Sequence, residues 1–238
     1  LVLEFITGMP VVYAIVIITL IALVYTIMGG LAAVIWTDVI QAFILLIGAL
    51  IITVSLINNL NLPLGDTLEL LKSQGKTNPL NFSFDITEVS TVWAGVIAMT
   101  LFHITVYGAN QMMVQRTLAS KNIGDAKKSF LMMGYFAIFI YFLFFLLGIL
   151  FYSYYGAREF DNGNTIILEF ASSLAIPGLM GIIAAAVIAA SMSSLDSAFN
   201  SMSTVTTIDF YQKYAKPNAS PEHYLLASRL FTVFWALA

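Results

Sequence analysis

The sequence predicts an all-α integral membrane protein, and three observations carry that expectation. Hydrophobic residues make up 60% of the 238 and charged residues 10%, against roughly 45–50% and about 25% in a soluble domain. A composition of that kind cannot supply a water-facing shell. Second, the apolar residues gather into stretches of roughly 20, the length at which an α-helix crosses a hydrocarbon core of about 30 Å. Such segments must satisfy their backbone hydrogen bonds internally and are therefore expected to be helices. Third, the charged residues fall mostly between these stretches, with two acidic exceptions inside them.

The same numbers exclude several function classes. A net charge of −3 with ten scattered Lys and Arg offers no basic surface, so no nucleic-acid partner is expected. The absence of cysteine removes a disulfide framework, Cys-ligated zinc and a thiolate nucleophile. The chain starts at Leu1 rather than Met and breaks off inside an apolar run after Leu230, so it reads as an internal piece of a larger protein. Glu4 stands where a signal peptide would carry cations, so no signal peptide is expected. Residues 1–238 are taken as a single transmembrane domain fragment.

Taken in chain order, spans are expected near residues 9–28 and 31–57, joined only by Gly29-Gly30 and so forming a tight antiparallel hairpin. The connection that follows holds a short surface helix over 66–73, with Asp66 as N-cap and Glu69 three residues on. Asn81-Phe82-Ser83 is a glycosylation acceptor pattern, meaningful only in a secretory pathway. A third span covers 91–114 and an aromatic-rich fourth covers 129–152. The turn formers Asp161-Asn162-Gly163 then lead into a second short helix over 164–174. A fifth span covers 177–207, and a sixth begins near 224 and runs to 238.

Arg116, Lys121, Lys127, Lys128, Lys213, Lys216 and Arg229 fall in one set of connections or at the span edges beside them, and Lys72, Lys76 and Arg158 in the other set. The excess of cations assigns the first set, with the Gly29-Gly30 turn, to the cytoplasm. Trp36 and Trp93 suit the two interfaces as anchors.

An ionisable side chain at membrane depth costs at least about 2.5–3.5 kcal/mol on insertion scales and marks a functional site by default. Asp38 and Asp196 are the clear cases. At 1.5 Å per residue, Asp38 sits about 12 Å from the cytoplasmic end of its span and Asp196 about 16 Å. Two carboxylates at similar depth on different helices either bracket one cation or join a structural network. Ala190, Ser193, Ser194 and Ser197 form one helical stripe by their spacing, with Asp196 and Asn200 flanking it. Such an oxygen strip suits a hard cation that sheds water. Serines alone equally let helices pack closely, but Asp196 in the strip and Asp38 at matching depth favour an ion site.

His103 either lines a cavity or is a satisfied structural group. Tyr107, Asn110 and Gln111 face the same pathway or bond between helices, while Arg116 marks the boundary by snorkelling to headgroups.

Three blocks of residues then carry a family resemblance. The run Tyr25-Thr26-Ile27-Met28-Gly29-Gly30-Leu31-Ala32-Ala33-Val34-Ile35-Trp36-Thr37-Asp38-Val39-Ile40-Gln41 resembles the sodium:solute symporter family, the group containing sodium/glucose cotransporters. So do the run from Asn110 to Lys121, and Ala190 to Asn200 with the following Asp209-Phe210-Tyr211. The resemblance implies a leucine-transporter-type inverted-repeat helical bundle. This chain would be a partial one, corresponding to core helices four to eight and the start of nine.

By the same resemblance, Ala190, Ser193 and Ser194 belong to the main sodium site, completed by carbonyls of a first core helix outside this sequence. Asp38, Ser193, Asp196 and Ser197 map to a second sodium site found in some members. Asp196 stands where other members commonly carry a small or hydroxylated residue, which makes the set more anionic. His103 and Tyr107 become substrate candidates, since the family's sixth helix lines the solute pathway.

The implied function is sodium-coupled symport of a small polar solute by alternating access. Na+ is the coupling ion, a sugar or sugar-like metabolite is favoured, and the setting is the plasma membrane. The alternatives are a cation channel or a non-transporting sensor on the same fold. No enzyme is expected: the glycine-flanked aspartates of an intramembrane protease are missing around Asp38 and Asp196.

Overall fold

The computed structural model describes residues 2–238 except 77–79, 86, 89 and 157. The described residues are helical with no strand: α1 (Val2–Thr7), α2 (Val11–Asn58), α3 (Leu64–Ser73), α4 (Val92–Ala109), α5 (Gln111–Leu118), α6 (Ile123–Tyr155), a 3-10 turn (Gly163–Thr165), α7 (Ile166–Ser173), α8 (Leu179–Val205), a π-helical stretch (Thr206–Ala215) and α9 (Pro221–Leu237). Among the described residues, four helical runs are long and apolar enough to cross a bilayer: Val11–Asn58, Val92–Ala109, Ile123–Tyr155 and Leu179–Ala215. A straight helix the length of α2 would extend about 72 Å, more than twice a hydrocarbon core of about 30 Å. It is instead broken at Gly30.

The chain forms two compact units, residues 1–50 with 160–238 and residues 51–159. In the second unit, Leu143, Leu147, Leu150 and Phe151 of α6 are buried, as are Ile52 and Leu56 of α2. Elsewhere along α6, Phe136, Phe142 and Phe145 are exposed, apolar surface of the kind that meets lipid chains. Lys76 lies 5.0 Å from the ring centroid of Tyr152, and Arg158 lies 5.3 Å from that of Tyr155. Cations therefore gather on the aromatic end of this helix.

Three local expectations are corrected here. The expected span over 91–114 is interrupted at Asn110, whose extended backbone (ψ 122°) ends α4. The Asn110 side chain then caps α5 by accepting from the Met112 amide at 2.9 Å. Asn110 acts as a local cap, a use for which short amides are favoured. Asp66 is not the N-cap of α3: the helix begins one turn earlier at Leu64 with Pro63 before it, and Asp66 sits in its first turn. The helix expected over 164–174 begins as the 3-10 turn, capped by Asn162.

In the first unit, α8 is lined with small buried residues, Ala184, Ala186, Ala189, Ser197 and Ser203, which allow close helix approach. Beyond Val205 the helix widens into π turns up to Ala215. Contacts with α9 hold that extension. Ser203 Oγ donates to the Ser228 carbonyl at 2.6 Å and Trp235 Nε1 donates to Thr206 Oγ1 at 2.9 Å. Tyr211 Oη and His223 Nε2 meet at 2.9 Å. Polar residues of this stretch, Thr206 and Tyr211, thus bond directly to α9.

Candidate cation site

The site is built around a chain reversal. Gly30 has φ 55° and ψ −149°, a backbone conformation that side chains with a Cβ rarely adopt. On a straight helix Tyr25 and Thr37 would lie about 18 Å apart. Here the Tyr25 hydroxyl donates to Asp196 Oδ2, and Thr37 Oγ1 lies 3.5 Å from the same oxygen. The arms of α2 before and after Gly30 therefore fold back on each other. A Cβ placed on Gly29 would stand 2.3 Å from the Cβ of Ala33, so the reversal tolerates no side chain there.

Helix α8 follows both arms. Gly48 faces Ala186, whose Cβ would be 3.2 Å from an added Cβ, while Thr37 reaches Asp196. The residue numbers run in opposite senses, so α8 is antiparallel to the second arm. Ala14 and Ile18 share a cavity wall with Val187, Ile188 and Ser191, and Tyr25 meets Asp196, so α8 runs parallel to the first arm. Gly48 and the small residues of α8 thus set the depth at which the polar groups meet.

Asp196 is completely buried. Its partners are hydroxyls from three segments: Tyr25 before the reversal, Thr37 after it, and Ser197 beside it, whose Oγ lies 3.3 Å from Oδ1. Hydrogen bonds to a charged group contribute about 1.5–3 kcal/mol each, and they offset the loss of hydration that burial imposes. Asp38 is near enough for its charge to act on Asp196, and the Gln41 amide stands beside the Tyr25 hydroxyl. Gln41 is 9% exposed and its Oε1 is buried without a hydrogen-bond partner. The arrangement gathers oxygen atoms from buried and part-buried side chains around one fully buried carboxylate. Among the described residues, no three His, Cys, Asp or Glu groups converge. Carboxylates with neutral oxygens and no third such ligand suit a hard cation of low charge better than a transition metal.

The sequence-derived residues fall into three places. Asp38, Asp196 and Ser197 belong to the buried cluster. On α8, Ser194 Oγ donates to the Ala190 carbonyl at 3.3 Å, and Ser193 is half-buried nearby. Ser194 is exposed and opens with Ser191 onto an otherwise apolar cavity of about 470 Å³ between α1, the first arm and α8. His103 and Tyr107 lie in the other compact unit. There they stack one helical turn apart, with centroids at 5.4 Å and planes 5° apart, and the edge of Phe130 meets Tyr107 at 6.1 Å.

Tyr25, Thr37 and Gln41 hold no role in the sequence reading, although all three lie in its first family block. The available signal was composition: Thr37, Asp38 and Gln41 share part of one helical face in an otherwise apolar arm. Tyr25 had no such signal, because its position depends on the reversal at Gly30.

Comparison with known proteins identifies the family of the chain. The family model for the sodium:solute symporter family matches residues 1–238. The sodium/glucose cotransporter of Vibrio parahaemolyticus is 31% identical over 258 residues, covering 95% of this chain and 45% of the relative. The sodium/sialic acid symporter NanT of Aliivibrio fischeri is 30% identical over 218 residues, covering 89% and 43%. A solved structure of a Na+-coupled sialic acid symporter, substrate-bound and outward-open and described as revealing a novel Na+ site, is similar with a TM-score of 0.86 at 27% identity. It covers 99% of this chain and 51% of that one, and the chain spans a little under half the length of the two curated relatives. These relatives are transporters rather than enzymes. With its apolar spans and a family match along its whole length, this chain is an integral membrane protein that belongs to the sodium:solute symporter family.

Proposed function

We propose that the full-length protein couples inward movement of sodium to uptake of a small polar solute by alternating access. The solute class favoured is a sugar or sugar-like metabolite, in keeping with the glucose and sialic acid specificities named for its relatives. The setting is the plasma membrane. The observation that carries the reading is the buried cluster around Asp196, where oxygens from both arms of α2 and from α8 converge.

In this reading Ala190, Ser193 and Ser194 contribute to a main sodium site and Asp38, Asp196 and Ser197 to a second. The hydroxyls and carboxylates replace the water that the ion sheds. A cation favours whichever conformation brings these oxygens together, and only that difference in affinity moves the equilibrium. Sodium binding from outside stabilises the outward-open state, the solute then binds, and rocking of one helical group against another releases both inside. Each charge crossing 100 mV contributes about 2.3 kcal/mol. No covalent bond is made or broken.

The test is counterflow in vesicles containing the full-length protein, using a panel of radiolabelled sugars, sialic acids, amino acids and carboxylates with and without sodium. Sodium-dependent exchange of a sugar-like solute is the expected result. Sodium flux at channel rates without any solute, or no uptake of any kind, overturns the reading. Asp196→Ala is expected to change the ratio of charge to solute transported, and an unaltered ratio removes the second site.

A further inference from the structure

The Gln41 side chain has two ends with different fates. Its residue is 91% buried, by the 9% exposure that remains, and its amide lies beside the Tyr25 hydroxyl. That hydroxyl has one proton, and it is committed to Asp196 Oδ2. Tyr25 can therefore only accept from Gln41, which must present its N–H there and turn its Oε1 away. Chemistry thus settles which end of the amide faces Tyr25. The oxygen so oriented is buried and has no hydrogen-bond partner. An acceptor left in that condition costs about 1–3 kcal/mol, so the fold maintains it against a penalty.

An unpartnered buried carbonyl requires a donor or a cation. Gln41 lies three residues after Asp38 and four after Thr37, positions that adjoin on a helix, and Thr37 itself reaches Asp196. The residue thus stands beside Thr37 and Asp38 on one helical face, where a hard cation at the carboxylates would gain from an additional oxygen. We propose that the side-chain carbonyl of Gln41 is a direct oxygen donor to the cation held at the Asp38–Asp196 site, kept in that orientation by the Tyr25 hydroxyl. This inference rests on the sodium-site reading above and adds a neutral ligand to it. A neutral carbonyl raises the number of oxygens without raising the charge, which suits a monovalent ion that must also be released.

The experiment is equilibrium binding of radiolabelled sodium to the purified full-length protein, which needs no solute and no transport. Gln41→Leu is expected to raise the half-saturating sodium concentration about tenfold, the scale on which loss of one supporting ligand acts. Tyr25→Phe, which keeps the ring but frees Gln41, is expected to raise it less. Gln41→Glu keeps an oxygen of similar reach and is expected to retain saturable binding while changing the preference between lithium and sodium.

Saturable binding by the wild type together with wild-type affinity in Gln41→Leu overturns the inference and leaves the sodium site standing. An equal shift in Gln41→Leu and Tyr25→Phe also overturns it, because Gln41 then only supports Tyr25. If Gln41→Leu does not fold, an unchanged lithium-to-sodium preference in Gln41→Glu overturns it. No saturable sodium binding by the wild type overturns both the inference and the reading beneath it.

Discussion

Asp196 has no exposed surface, so its energetics depend on three hydroxyl partners rather than on water. The Tyr25 bond is the long-range one, linking residues 171 positions apart. Removing it with Tyr25→Phe preserves the ring packing and leaves the carboxylate short of one donor. The expected cost is about 1–3 kcal/mol, seen as a lower unfolding temperature of the full-length protein in detergent; an unchanged temperature shows that the bond contributes nothing. The sequence made Asp38 and Asp196 legible because charge in an apolar helix is rare and costly. It did not make Tyr25 legible, because a tyrosine within an apolar run resembles an ordinary membrane aromatic until its hydroxyl partner is known. Gln41 was similarly hidden, since its role depends on which end of the amide Tyr25 accepts from.

At the scale of elements, the reversal at Gly30 brings the two arms of α2 to one carboxylate. A side chain at Gly30 would meet no neighbour, so the constraint there is purely the positive φ of 55°. Gly29 is the reverse case, with ordinary φ but no room beside Ala33. Gly30→Ala is expected to lose about 1–3 kcal/mol through backbone strain and to weaken sodium binding along with stability. The check is to measure both on one preparation, and full retention of both means that the reversal is not what positions the site. The Gly-Gly pair between two apolar stretches made the hairpin readable from sequence. The break at Asn110 and the π turns after Val205 were less so. The first depends on a side chain capping its own chain, and the second on Ser228, His223 and Trp235 of the following helix. Local propensity carries no record of contacts with a later segment.

At the scale of the whole molecule, apolar composition and stretch length were enough to indicate a helical membrane protein, and three blocks of sequence were enough to indicate its family. Solute choice is not encoded in the cation site proposed around Asp196, whose oxygens are indifferent to the cargo. Coupling requires that cation occupancy change the balance between outward and inward states, by an amount limited to the difference in affinity between them. Coupling of this kind therefore depends on whether the oxygens of α2 and α8 act as sodium ligands during transport. The most direct measurement is the sodium dependence of solute uptake by the full-length protein carrying Asp38→Asn or Ser194→Ala. A higher half-saturating sodium concentration in both variants is the predicted result, about tenfold for a lost ligand interaction. Sodium dependence identical to wild type in both would contradict the account.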